Sequence, residues 1–322
     1  MTELYLAART ALKDCMGVKN DETVLVICDN QTISIGSALF DMGRELSREC
    51  IVVIMSERDV NGQEPPPSIA ELMKRFNVVI CPTAKSLTHT NARREACAAG
   101  ARVGTMPGIT EEIMIRTLKA DYHKIAERTQ KLSEILDKGN EIHITTTIGT
   151  NIHIPINGIH AISSTGLVRE NGKFGNLPSG ESYLMPVEGK TDGIFIVDGS
   201  FAGIGKIDKD PIKITVKNGY AEKIEGGAQA EELNEMLHPL GKRAYNIAEL
   251  GIGTNHEAVI TGKILEDEKV MGTVHIALGN NKSMGGTCDV GIHLDGIILK
   301  PTVMVDEQIL MREGKFSHKN LE

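Results

Sequence analysis

Two rhythms of apolar residues divide this sequence, and the first of them limits the fold most. A β-branched run, Val24 to Cys28, is followed by a segment of helical periodicity, Ser34 to Ser47, and by a second run, Ile51 to Met55. The alternation continues with a helix over Ile69 to Phe76, a strand over Val78 to Cys81, a helix over Asn91 to Ala99 and a strand over Arg102 to Thr105. Strands separated by helices pair in parallel, because each crossover lays its helix on a face of the sheet. The first rhythm therefore predicts a parallel sheet with helices on both faces.

The second rhythm begins after a helical stretch marked by Leu118, Tyr122, Ile125, Leu132 and Leu136, which stops at Lys138-Gly139. Short alternating runs follow, at Glu141 to Thr147, Asn151 to Ile154, Gly193 to Asp198 and Ile212 to Lys217, separated by Gly and Asn turns. Asn218-Gly219 is the turn dipeptide of a tight hairpin. At 322 residues the chain exceeds the size at which one core stops growing. The reading is a parallel-sheet α/β domain over 1–117 and a β-rich α+β domain over 118–322, the second carrying the candidate site.

Composition removes several function classes. A net charge of -8, 3% aromatic residues and no Trp are unsuited to a nucleic-acid surface of basic patches and stacking rings. No uncharged apolar run is long enough to span a membrane, and the first residues, charged among apolar, lack the form of a signal peptide. The expectation is a cytoplasmic protein with a small-molecule or peptide substrate. The six cysteines form no CxxC pair and are expected reduced and mostly buried.

The chemistry-bearing residues lie in the second half. In Gly291-Ile292-His293-Leu294-Asp295 the two-residue spacing puts His293 and Asp295 on one face of a strand, where they can share a divalent ion. A polar, solvated strand face is the alternative. His275, within Thr273-Val274-His275-Ile276-Ala277-Leu278-Gly279, is either a ligand or a core imidazole bonded to a carbonyl. Glu181, after Leu177-Pro178-Ser179-Gly180, and Glu249, before Leu250-Gly251-Ile252-Gly253, read as carboxylates in glycine-flanked loops; solvated turn residues are the alternative. Neither stretch has the Lys-Ser/Thr of a phosphate loop.

Together these four stretches resemble the M29 metallo-aminopeptidases of the aminopeptidase T type, across most of the chain. The resemblance implies that Glu181, Glu249, His275, His293 and Asp295 bind two divalent ions, that a bridging water is the nucleophile, that Glu249 accepts its proton, and that the protein is a homodimer. Three carboxylates against two dications leave such a site near neutral once hydroxide binds, which suits zinc, cobalt or manganese. The implied activity is removal of N-terminal residues from peptides. In place of the family's Tyr after the Ala-Leu-Gly turn stands Gly279-Asn280-Asn281-Lys282-Ser283, where Lys282 is the positive donor.

The same superfamily includes iron-dependent dioxygenases that cleave dihydroxypyridine rings and keep a histidine with the terminal His-x-Asp. His275, His293 and Asp295 meet that pattern, which is the two-His, one-carboxylate set of non-haem Fe(II) oxygenases. A single Fe(II) and a ring-cleaving reaction are therefore the alternative to hydrolysis, and a metal-binding protein without turnover is a third.

Overall fold

A computed structural model describes residues 2–317 and 321. The chain forms two compact units, one of residues 1–126 and 165–179, the other of 127–164 and 180–322. The boundary is thus crossed more than once, where the sequence reading draws a single cut after 117. Two separate helices, Glu111–Thr117 and Tyr122–Leu136, replace the single helix expected from Leu118, because Leu118 caps the first of them. The second helix starts in the first unit and ends in the other.

The first unit contains the expected parallel sheet, ordered Glu49–Met55, Thr23–Asp29, Val78–Thr83, Arg102–Pro107 and Phe174–Asn176. Every residue of Thr23–Asp29 is buried, which accounts for its unbroken apolar run. The fifth strand comes from the returning segment 165–179 and pairs Val103 with Phe174 and Thr105 with Asn176.

The second unit is built on two antiparallel sheets of eight and seven strands, with one apolar cluster that includes Leu132, Ile142, Phe195, Ile214, Leu250 and Ile276. Asn218 and Gly219 both take positive φ, 50° and 74°, and join Ile212–Lys217 to Tyr220–Glu225 as the dipeptide predicts. Among the described residues no helix is long and apolar enough to cross a membrane. The six cysteines are unpaired; Cys50 and Cys97 are half-buried and the others buried.

Candidate metal centre

Four neighbouring strands of the seven-stranded sheet carry the candidate ligands: Glu181–Leu184, Ile247–Gly253, Val274–Gly279 and His293–Ile298. Both glutamates expected in loops are therefore on strands, Glu181 at the first position and Glu249 inside. The glycines that suggested loops leave room on the sheet face instead. A Cβ at Gly251 would lie 2.0 Å from His275 Nε2, so only glycine lets that ring cover the neighbouring strand.

Register places all five candidate ligands on one face, since residues directly opposite in a ladder share a side. Glu249, Ala277 and Asp295 form one cross-strand row, and Tyr183, Gly251 and His275 another. Glu181 pairs with Gly253 and His293 with Gly279. Each large ligand side chain thus has a small residue beside it. A bulge between Ile247 and Glu249 shifts the register just before the carboxylate. The opposite face is apolar, with Leu250, Ile252, Val274, Ile276 and Leu278 all in the core.

The helix Tyr122–Leu136 braces this sheet within the second unit. Ser133 Oγ bonds Ser182 Oγ at 2.7 Å, Thr129 Oγ1 bonds Thr254 Oγ1 at 2.7 Å, and Arg128 Nη1 donates to the Thr254 carbonyl at 2.8 Å. Ser182 and Thr254 flank Glu181 and Gly253, so the brace fixes the edge of the ligand face.

The potential ligands separate into two groups, Glu249 with His293 and Asp295, and Glu181 with Glu268 and His275; within each, ligand atoms lie within 4.8 Å of one another. His293 Nε2 is 3.5 Å from Asp295 Oδ1 and 3.4 Å from Glu249 Oε2. Glu249 Oε1 is 3.4 Å from His275 Nε2, so one carboxylate spans both imidazoles. His275 Nε2 also lies 3.6 Å from Glu181 Oε2. The Nδ1–H of His293 donates to the Asn280 carbonyl at 2.7 Å, which aims its Nε2 lone pair into the group, the arrangement expected of a metal-ligating histidine.

The donor set fits a divalent cation. Asp295 Oδ1 and Glu181 Oε2 are buried and accept no hydrogen bond, and buried anionic oxygens without a donor need a positive charge. The titration pattern has the same cause. Burial alone would lower both imidazoles, but Glu249, Glu181 and Asp295 together raise His275 to about 9, and Asp295 with Glu249 holds His293 well above the usual histidine range. Burial opposes ionisation of Glu249, yet the two histidines pull it down to about 2. Burial, with Glu181 and Asp295 nearby, lifts Glu268 to about 8 against the attraction of Lys269.

Three site residues escape the sequence reading. Glu268 and Lys269 end a charged run, Glu266 to Lys269, that suggests a solvated turn, yet Glu266, Asp267 and Lys269 are buried. Tyr183 stands two residues from Glu181 on the ligand face, and its phenol is raised by burial and then by Glu249 and Glu181. The i, i+2 spacing of Glu181 and Tyr183 was the available signal. Lys282, expected as the positive donor, lies after the His275 strand with its side chain 65% exposed and pairs with Asp289 at 2.5 Å. The ammonium in contact with ligand carboxylates is that of Lys269.

A curated 2,5-dihydroxypyridine 5,6-dioxygenase of Pseudomonas putida is 22% identical over 245 residues, 71% of this chain and 68% of that protein. The solved structure of the 2,5-dihydroxypyridine dioxygenase from Pseudomonas putida KT2440 matches with a TM-score of 0.87 at 17% identity, covering 100% of both chains. Wild-type AmpT from Thermus thermophilus matches with a TM-score of 0.71 at 15% identity, covering 98% of this chain and 99% of its own. The likeness to AmpT is one of fold, so the expected M29 membership narrows to a shared architecture. The family model that matches, over residues 3–318, is described as NicX, 2,5-dihydroxypyridine 5,6-dioxygenase, and the chain belongs to that family.

Proposed function

We propose that the protein is a mononuclear Fe(II) dioxygenase that cleaves the ring of a dihydroxypyridine-like aromatic. The observation that supports it most is the presence, on one sheet face of a chain matching that family model from residue 3 to 318, of His275, His293 and Asp295, two imidazoles and a carboxylate. Bound Fe(II) supplies the redox chemistry that lets dioxygen react with a closed-shell ring. The protein residues orient and neutralise. His293, fixed by the Asn280 carbonyl, presents Nε2, and Asp295 presents its unsatisfied Oδ1 beside it. Glu249, in contact with both histidines, is the proton acceptor of this reading, since the imidazolium charges that hold its pKa down would be lost once the rings bind metal. Tyr183 is a phenol donor on the same face.

Aminopeptidase-like hydrolysis is the second reading, favoured by the retention of Glu181 and Glu249 beside the histidines and Asp295. Zinc, cobalt or manganese would serve it through a metal-activated water. Protein loaded with Fe(II) under anaerobic conditions, then given dihydroxypyridines and oxygen, is expected to consume oxygen in step with loss of aromatic absorbance. No oxygen uptake, together with release of N-terminal residues from peptides by the zinc-, cobalt- or manganese-loaded protein, would reverse the assignment.

A further inference from the structure

We infer that Lys269 is a built-in cation, its ammonium standing between Glu181 and Glu268 where a second metal ion would otherwise bind and so restricting the centre to one ion. The inference rests on the reading above, in which His275, His293 and Asp295 hold one ion with Glu249 beside them, and does not depend on the reaction that follows there.

Glu181 and Glu268, with the His275 ring that a second ion would share with the first, form a further ligand group by residue type and spacing, two carboxylates and an imidazole. Its positive charge is already present. Lys269 Nζ lies 2.5 Å from Glu181 Oε1 and also pairs with Glu268, and the side chain is 1% exposed. A divalent ion would have to compete with the ammonium for the same oxygens and approach a like charge in a site from which water is excluded. Among the described residues the ion-pair partners of Glu249 and Asp295 are imidazoles.

The ammonium is also held from behind. The Lys269 N–H donates to the Glu266 carbonyl at 2.9 Å, and its own carbonyl accepts from Asn255 N at 2.9 Å. The short helix Ile264–Asp267 before it is pinned by Asp267, which accepts from Ser200 Oγ at 2.6 Å, Thr261 N at 2.7 Å and Gly262 N at 2.8 Å. With the backbone anchored and the side chain 1% exposed, the charge is held in the interior beside its two carboxylates. A surface lysine could make room for a second ion by rotating outward; Lys269 has no such route.

The test is the number of manganese ions bound per chain, measured by elemental analysis and electron paramagnetic resonance on the full-length protein in manganese up to millimolar concentration. Wild type and Lys269→Arg are expected to bind one ion with the spectrum of an isolated centre. Lys269→Met, which keeps the stem and removes the charge, is expected to bind two ions with a spin-coupled spectrum. Two ions in the wild type, or a single ion in a folded Lys269→Met variant, overturn the inference; Lys269→Gln takes its place if the Met variant does not fold. Absence of oxygen uptake in protein holding one ion would remove the dioxygenase reading and leave this inference intact.

Discussion

The two ligand groups on the sheet are alike in residue type and differ in how their negative charge is met. Glu181 and Glu268 pair with the ammonium of Lys269, and Glu181, Lys269 and His275 are buried while Glu268 is half-buried. Among the described residues the carboxylates of Glu249 and Asp295 pair with imidazoles; Asp295 Oδ1 accepts no hydrogen bond, and the group reaches solvent at His293, whose side chain is 31% exposed. The first group already holds an ammonium, although Glu181 Oε2 accepts no hydrogen bond; the second meets its charge through imidazoles. The contrast shows that metal-type residues in metal-type geometry do not suffice to define a metal site, since the local charge balance decides which group needs an ion.

The largest expected effect comes from breaking the outer group. His293→Ala and Asp295→Ala are expected to abolish stoichiometric metal retention after desalting, whereas Glu268→Gln in the inner group should leave the metal count unchanged. Equal loss in all three, measured by elemental analysis, would erase the distinction. Glu249→Gln should act at the next level, weakening metal affinity about 10- to 100-fold, because Glu249 contacts both His275 and His293 and aligns them.

A pH experiment sharpens the comparison further. The folded pKa of His275 is raised from 6.5 to about 9, so its stabilising contribution to metal-free protein is complete below pH 6.5 and disappears as pH rises through about 9. The loss is on the order of 3 kcal/mol. Metal ligation requires neutral imidazole and thus strengthens as pH rises. Thermal melts should therefore show metal-free protein losing stability from pH 6.5 to 9 while metal-loaded protein does not; parallel curves would mean that no ion replaces the imidazolium charge.

The smallest effect is expected at Lys282. Its pairing with Asp289 is solvent-exposed on both sides, so Lys282→Ala should change stability by less than about 0.5 kcal/mol and leave metal binding unaltered. A large loss of metal or turnover in this variant would restore Lys282 to the site.

What the sequence made legible follows from period and turn chemistry. The first four parallel strands and the Asn218-Gly219 hairpin carry local signals strong enough to read, and His293 and Asp295 announce themselves by strand alternation. The fifth parallel strand, Phe174–Asn176, is three residues long and joins its sheet only through distant pairing, so no local pattern could reveal it. Glycines beside Glu249 suggested a loop, yet Gly251 is small because the His275 ring covers it, a reason visible only across strands. Lys269 was hidden for a different cause. A run of four charged residues ordinarily faces solvent, and its burial depends on carboxylates brought from elsewhere in the chain, among them Glu181.

The most direct test of the account is anomalous diffraction at the metal edge from crystals of the Fe(II)-loaded protein. A single peak bound by His293 Nε2 and Asp295, with Lys269 still between Glu181 and Glu268, is the predicted result. Two peaks, or one peak between Glu181 and Glu268 with Lys269 displaced, would contradict it.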